Sequence, residues 1–153
     1  MGNVEDGLIV DTDILIDLLR KKDYAVSLIK KLEDEVELAT SAINAFELYR
    51  GAYKSRNQEK NLASVKGLLN SLRMLNTDED SVEIAGKITA SLERDGNMMD
   101  IRDLLIASIA LVNGFGILTN NVGYFNKIKH LRVVRGKANG NEKLKSQILQ
   151  NLN

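Results

Sequence analysis

Acidic side chains stand at places where an α/β chain can do chemistry. Asp11 closes the apolar run Gly7-Leu-Ile-Val, Glu47 sits among apolar neighbours in INAFEL, and Asp100 and Asp103 bracket the start of an apolar stretch from Ile101 to Asn113. Thr119-Asn120-Asn121 ends a further apolar run, GILT. There is no cysteine, and His130 is the single histidine. A thiolate nucleophile, a disulfide framework, a Cys-based metal site and a His cluster within one chain are therefore excluded. Any metal must be held by oxygen ligands, which suits Mg²⁺, Mn²⁺ or Ca²⁺. Converging carboxylates of this kind serve phosphodiester hydrolysis, in which a hard cation polarises phosphate and activates water.

Each residue also has an ordinary reading. Glu47 is placed to pair with Arg50 along a helix, less well with Lys54. Asp100 is a good helix N-cap, with Asp103 three residues on as its reciprocal partner near the positive helix end. Asp13 and Asp17 are expected to face solvent on a helix, and Asn120-Asn121 is first a turn signal. Asp11 is harder to explain away, because an acid directly after an apolar strand is costly to bury.

Stepping along the chain, residues 7–11 read as a buried strand, 14–21 and 24–34 as helices, and 36–40 as an alternating strand. Ser41 is a plausible N-cap for a helix from Ala42 to about Ser55. Leu62, Val65, Leu68, Leu69 and Leu72 mark a long amphipathic helix over 58–73. Asp80-Ser-Val-Glu83 resembles a capping box opening a helix to residue 95. A helix over 101–113 ends at Gly114, GILT is a strand, 122–129 a short helix and 131–135 a last strand. This alternation predicts an α/β fold, with a mostly parallel sheet of four or five strands between helical layers. Sites in such sheets form outside the carboxyl ends of the strands, which is where Asp11 and Thr119 fall.

The 153 residues predict one domain over 1–135, followed by a basic, mobile tail over 136–153 with a weak apolar pattern at Leu144, Ile148 and Leu152. Net charge is zero, yet residues 121–153 hold seven Lys and Arg against one Glu, so they carry +6 and the first 120 residues −6. An acidic site beside a basic rim fits an enzyme that holds metal and polyanion together; a solvated basic tail explains the same asymmetry. No apolar run approaches the ~18–20 residues that cross a bilayer, and Glu5/Asp6 are wrong for a signal peptide, so a cytoplasmic protein is expected.

Over residues 8–135 the motifs resemble the PIN-domain ribonucleases, in particular the VapC-type toxins of toxin–antitoxin pairs. LIVDTDILIDLL is similar to the family's first strand ending in an acid, at Asp11. SAINAFELYRG matches its S-x-I-x-x-x-E-L-x-x-G pattern at Glu47, and GNMMDIRDLLIAS matches its third acidic segment at Asp103, with Asp100 as an accessory. LTNNVGYFNKI corresponds to the final strand, turn and aromatic, giving Thr119, Asn121 and Phe125. Two departures stand out. Asn121 occupies a position where many members carry an acid, and Asp13 is acidic where members often have Asn or Ser.

The resemblance implies a three-layer α/β/α fold and a metal-dependent endoribonuclease. Asp11, Glu47 and Asp103 would hold Mg²⁺ or Mn²⁺, and metal-activated water would leave a 5′-phosphate and a 3′-hydroxyl. Thr119 and Asn121 would position a carboxylate or a water. Single-stranded or looped RNA is the implied substrate. The implied partners are a small antitoxin covering the acidic groove and a second copy in a homodimer or higher oligomer; the helices over 58–73 and 80–95, with Ala85, Gly86 and Ala90, offer partner surface or, equally, ordinary core packing. Two other functions compete. Asp11-Thr12-Asp13 superficially resembles the nucleophile loop of haloacid-dehalogenase phosphatases, although Ile14-Leu15 replace the Gly-Thr expected there. A weakened acidic set at Asn121 also fits a PIN-like module that binds RNA or protein without cutting.

Overall fold

The computed structural model describes residues 7–138. Its strands are short, and β1 and β4 are wholly buried: β1 is Leu8–Val10, β2 Leu38–Ser41, β3 Arg73–Leu75, β4 Gly116–Thr119 and β5 Val133–Arg135. They form one parallel sheet in the order β3-β2-β1-β4-β5. Strand β1 is central, with Leu8, Ile9 and Val10 opposite Gly116, Ile117 and Leu118 of β4. Every connection is a crossover. Helices α1 (Thr12–Leu19) and α2 (Asp23–Leu32) join β1 to β2, and α3 (Ala42–Lys54) and α4 (Gln58–Asn70) join β2 to β3. Helices α5 (Glu79–Arg94) and α6 (Ile101–Asn113) join β3 to β4, and α7 (Val122–Phe125) leads to β5.

Alternation along the strands divides the core into two layers. Ile9 and Ile117 point toward α6 and α7, packing with Ile106, Ile109, Phe115 and Phe125. Leu8, Val10 and Leu118 point toward α1, α3 and α4, packing with Ile14, Leu15, Leu48 and Val65. A sheet covered on both faces needs apolar residues at every strand position, which is why GLIV and GILT lack a polar alternation.

The chain departs from the sequence-based expectation in places with local causes. The sheet has five strands because Arg73–Leu75, of which only Arg73 falls in an expected element, as the end of a helix over 58–73, forms an edge strand beside β2. Three residues are too few for a period of two to show beside a leucine-rich helix. Helix α5 starts two residues early: Asp78, not Asp80, is its N-cap, accepting from the Ser81 amide at 2.8 Å while the Asp78 amide donates to Ser81 Oγ at 2.9 Å. Ser serves in the reciprocal position that a Glu was expected to fill. Ser41 caps α3 as expected, with Asn44 completing the box. Gly114 ends α6 at φ 72°, a left-handed conformation that costs glycine little.

Sheet order reverses at β1, since β2 and β3 lie to one side and β4 and β5 to the other. The crevice beyond the carboxyl ends of β1 and β4 is thus the fold's natural binding site. The end of β5 closes in beside it. Gly136 lies so near Ile14 and Asn120 that a Cβ would collide with both, and the Lys137 amide donates to Asn120 Oδ1 at 2.7 Å. Beyond Ala138 the expected mobile tail lies outside the described residues.

Candidate active site

Asp11 directly follows β1 and is the N-cap of α1, and it is only 7% exposed. Three neighbours hold its carboxylate. Oδ1 accepts from the Thr12 amide at 2.9 Å and from Asn44 Nδ2 at 3.1 Å, and Oδ2 accepts from Thr119 Oγ1 at 2.7 Å. These bonds favour the ionised form, but burial outweighs them and the nearby Glu47 charge adds to it, so the pKa of Asp11 is raised.

Glu47 reaches the same place from the second turn of α3. Its Oε1 accepts from Thr12 Oγ1 at 3.0 Å, and its Oε2 lies 3.7 Å from Arg102 Nη1. The ordinary reading of Glu47 as a partner of Arg50 is therefore replaced by a contact with α6. Asp103, in the first turn of α6, lines the same cavity. Its pKa is pushed up to about 6, first by burial and then by the charges of Asp11, Asp100 and Glu47.

Asp100 caps α6 as expected, accepting from the Arg102 amide at 2.9 Å. The Arg102 guanidinium also binds it, Nε to Oδ1 at 3.2 Å and Nη2 to Oδ2 at 3.4 Å. These bonds pull the Asp100 pKa down. Arg102 thus bridges Asp100 and Glu47 and is the internal counter-ion of the cluster.

Asp13 does not face solvent, contrary to the expectation from its place on a helix. Its Oδ2 accepts from the Asn120 amide at 2.9 Å and Asn121 Nδ2 at 3.1 Å, with Thr119 Oγ1 at 3.5 Å. Its pKa is raised by burial and by Asp11. A carboxylate only accepts, so the amide nitrogen of Asn121 must face it. An acid at 121 would instead meet Asp13 directly. The acid at 13 and the amide at 121 are complementary, and together they tie the turn after β4 to the start of α1.

Sequence reading missed Asn44, Thr12 and Arg102. Asn44 is fully buried. Its Oδ1 accepts from Ser41 Oγ at 2.6 Å, while Nδ2 donates to Asp11 and, at 3.0 Å, to Thr12 Oγ1. Thr12 passes the donation on to Glu47, so one amide orients two acids. The only signal was the Ser41-x-x-Asn44 spacing, which reads as a cap and conceals the inward role. An Asn44→Ala variant leaves these groups short of partners and is expected to lose about 2 kcal/mol, lowering the melting temperature by roughly 4–8 °C. Thermal denaturation followed by circular dichroism measures it.

Asp11, Asp13, Glu47 and Asp103 thus line one open cavity of about 670 Å³, with Asp100, Arg102, Asn121, Tyr124 and Lys127 also at its wall. Thr119 lies behind it, fully buried.

Comparison with known proteins then decides the family. The model described as PIN domain matches residues 8–131. The chain belongs to the PIN-domain family. This PIN domain is 32% identical to the tRNA(fMet)-specific endonuclease VapC of Shigella flexneri over 123 residues, 80% of this chain and 92% of that one. It is 30% identical to ribonuclease VapC1 of Methanocaldococcus jannaschii, across 82% and 83% of the two chains. Its fold is similar to VapBC2 of Rickettsia felis, solved with a promoter DNA fragment: TM-score 0.80 at 25% identity, covering 86% of this chain and 99% of that one. DNA-bound VapBC of Salmonella typhimurium gives 0.79 at 29% identity, over 86% and 98%. The phosphatase family suggested by Asp11-Thr12-Asp13 is not the one matched. Among the described residues no helix is long and apolar enough to cross a membrane.

Proposed function

We propose that this PIN domain is a divalent-metal-dependent endoribonuclease and the toxin of a VapBC-type toxin–antitoxin pair. The observation that carries the reading is the convergence of Asp11, Asp13, Glu47 and Asp103 on one open cavity. The names of the curated relatives, ribonucleases of the VapC type, support it.

Among the described residues no three His, Cys, Asp or Glu side chains make a ready-formed metal cage. The donor set nonetheless fits a hard cation. It is all oxygen, its charges repel one another, and Mg²⁺ keeps several waters while using one or two carboxylates directly. Asp11, Glu47 and Asp103 are the residues we assign to hold Mg²⁺ or Mn²⁺. When bound, the ion supplies water activation and neutralises charge on the phosphate. Thr119, Asn44 and the Thr12 amide fix the Asp11 carboxylate, and Thr12 fixes Glu47. Asn121 positions Asp13. Asp100, with both oxygens on Arg102, orients that arginine rather than adding a ligand. Hydrolysis, with water adding to phosphorus as the P–O3′ bond breaks, leaves a 5′-phosphate and a 3′-hydroxyl.

The same reading gives the protein a small antitoxin as partner, a cytoplasmic place of work and self-association. On α5, Ala85 is spent in the core, whereas Gly86 and Ala90 remain exposed for contact with a second copy. The test is cleavage of a structured RNA pool by antitoxin-free protein with Mg²⁺, Mn²⁺ or EDTA. Cutting with either ion and none in EDTA is expected. RNA binding without cutting at any metal concentration would favour the binding-module alternative invited by the uncharged Asn121.

A further inference from the structure

We propose that Tyr124 stacks on an unpaired base of the substrate beside the scissile phosphate, while Lys127 three residues on holds the adjoining phosphate. The proposal rests on the ribonuclease reading of the acidic cavity and names how that cavity takes hold of its strand.

Tyr124 lines the cavity, yet it is 61% exposed. Its backbone is held firmly all the same. The Tyr124 amide donates to the Asn121 carbonyl at 3.1 Å, and Phe125 and Ile128 anchor the segment in the core. The ring is therefore presented by a fixed turn directly after Asn121. Among the described residues nothing uses it: no hydrogen bond reaches the Tyr124 hydroxyl, and no ion pair engages Lys127. Gly123 lines the cavity beside it, and a Cβ built there meets nothing within 4 Å. The space next to the ring is open. A flat apolar face, a free ammonium and a bank of carboxylates line one cavity. A nucleotide complements all three, with a base for the ring, a phosphate for the lysine and a metal-binding phosphate oxygen for the acids. Duplex RNA hides its base faces, so the occupant is an unpaired nucleotide. An apolar protein segment would satisfy the ring alone.

The chain contains no tryptophan, so Tyr124→Trp introduces a single indole reporter. Full-length protein also carrying Asp11→Asn, to prevent turnover, would be titrated with a single-stranded RNA oligonucleotide and with the same sequence as a duplex. Saturable quenching by the single strand, and little by the duplex, is expected. By fluorescence anisotropy Tyr124→Ala should bind the strand about tenfold more weakly and Tyr124→Phe as tightly as the parent. Gly123→Leu, which fills the open space without a backbone penalty, should also weaken binding. In the active protein Tyr124→Ala should raise KM more than it lowers kcat. Unchanged indole emission on a strand shown by anisotropy to be bound, or full affinity in Tyr124→Ala, would overturn the stacking role and leave the nuclease reading standing. Quenching by a partner protein but not by RNA would overturn it as well. No RNA binding with Tyr124 intact, and no cleavage by the active protein, would instead bring down the nuclease reading itself.

Discussion

Asp103→Asn is expected to lower RNA cleavage roughly a hundred- to a thousandfold and, in the same protein, to raise the melting temperature of the metal-free state. The loss follows from removing a carboxylate assigned to a cation worth several kcal/mol to the transition state. The gain follows from the neighbours. Asp103 has its pKa at about 6 because it is partly buried beside Asp11, Asp100 and Glu47. At face value that displacement from 3.8 represents about 3 kcal/mol of unfavourable charge at neutral pH. The side chain is only partly buried and solvent screens much of this, while the neutral residue also forfeits a favourable contact with the α6 dipole. A net gain of about 1 kcal/mol, or roughly 2–4 °C, remains. Asp11→Asn should lose activity as fully. Its Oδ1 and Oδ2 both receive hydrogen bonds, however, and an amide turns one acceptor into a donor facing other donors, so it should not gain stability. Cleavage rates and melting curves in EDTA separate the two effects. Asp103→Asn cutting at the parent rate would remove that residue from the reaction.

The second large effect is on pH dependence. The folded pKa values of Asp103, Asp11 and Asp13 lie above their ordinary values. For Asp103 the folded state binds a proton more tightly than the unfolded chain, so its contribution to stability is complete below about pH 3.8 and is lost as pH rises through about 6. Asp11 and Asp13 act in the same direction. Asp17, bound by Tyr24 and Lys22, and Asp100, bound by Arg102, have lowered pKa values, and their contributions are lost as pH falls below the carboxylate range. Metal-free protein is therefore expected to be most stable near about pH 4–5 and to lose melting temperature steadily toward pH 7. Millimolar Mn²⁺ or Mg²⁺ should reverse the loss above pH 6, because a cation bound only by the folded state stabilises it by mass action. Melting curves across pH 4–8, with EDTA or with metal, test this. A flat profile in EDTA would mean that the carboxylates do not repel one another as their placement implies.

Much of this was legible in the sequence, for a physical reason. Asp11, Glu47, Asp103 and Thr119 sit at element ends, or within apolar stretches, where composition alone makes a polar residue conspicuous. The long helices and the two doubly buried strands are written in period and apolar content. What stayed hidden depends on distant pairing. Thr12 meets Glu47 across 35 positions, Asn44 meets Asp11 across 33, and Asp13 meets Asn121 across 108. No local pattern separates these residues from ordinary caps and solvent-facing acids. Asp13 was misread for that reason, since its partners come from the far end of the domain. Strand β3 was missed because three edge residues carry too little pattern.

The hydrogen bond from Thr119 to Asp11 spans 108 residues and sets an order of assembly. Strand β1 is translated first, yet its neighbour β4 is among the last segments of the domain to be made. Helices form from local contacts, whereas parallel pairing of β1 with β4 must wait for nearly the whole chain. The carboxylates of α1 and α3 therefore exist for most of synthesis without α6 or the turn after β4. A chain cut short before residue 100 lacks Asp103, Thr119 and Asn121 altogether, and it has an unpaired side on its central strand. Under the proposed function, catalytic competence would arrive late, as the sheet closes, and a partly made chain would lack it.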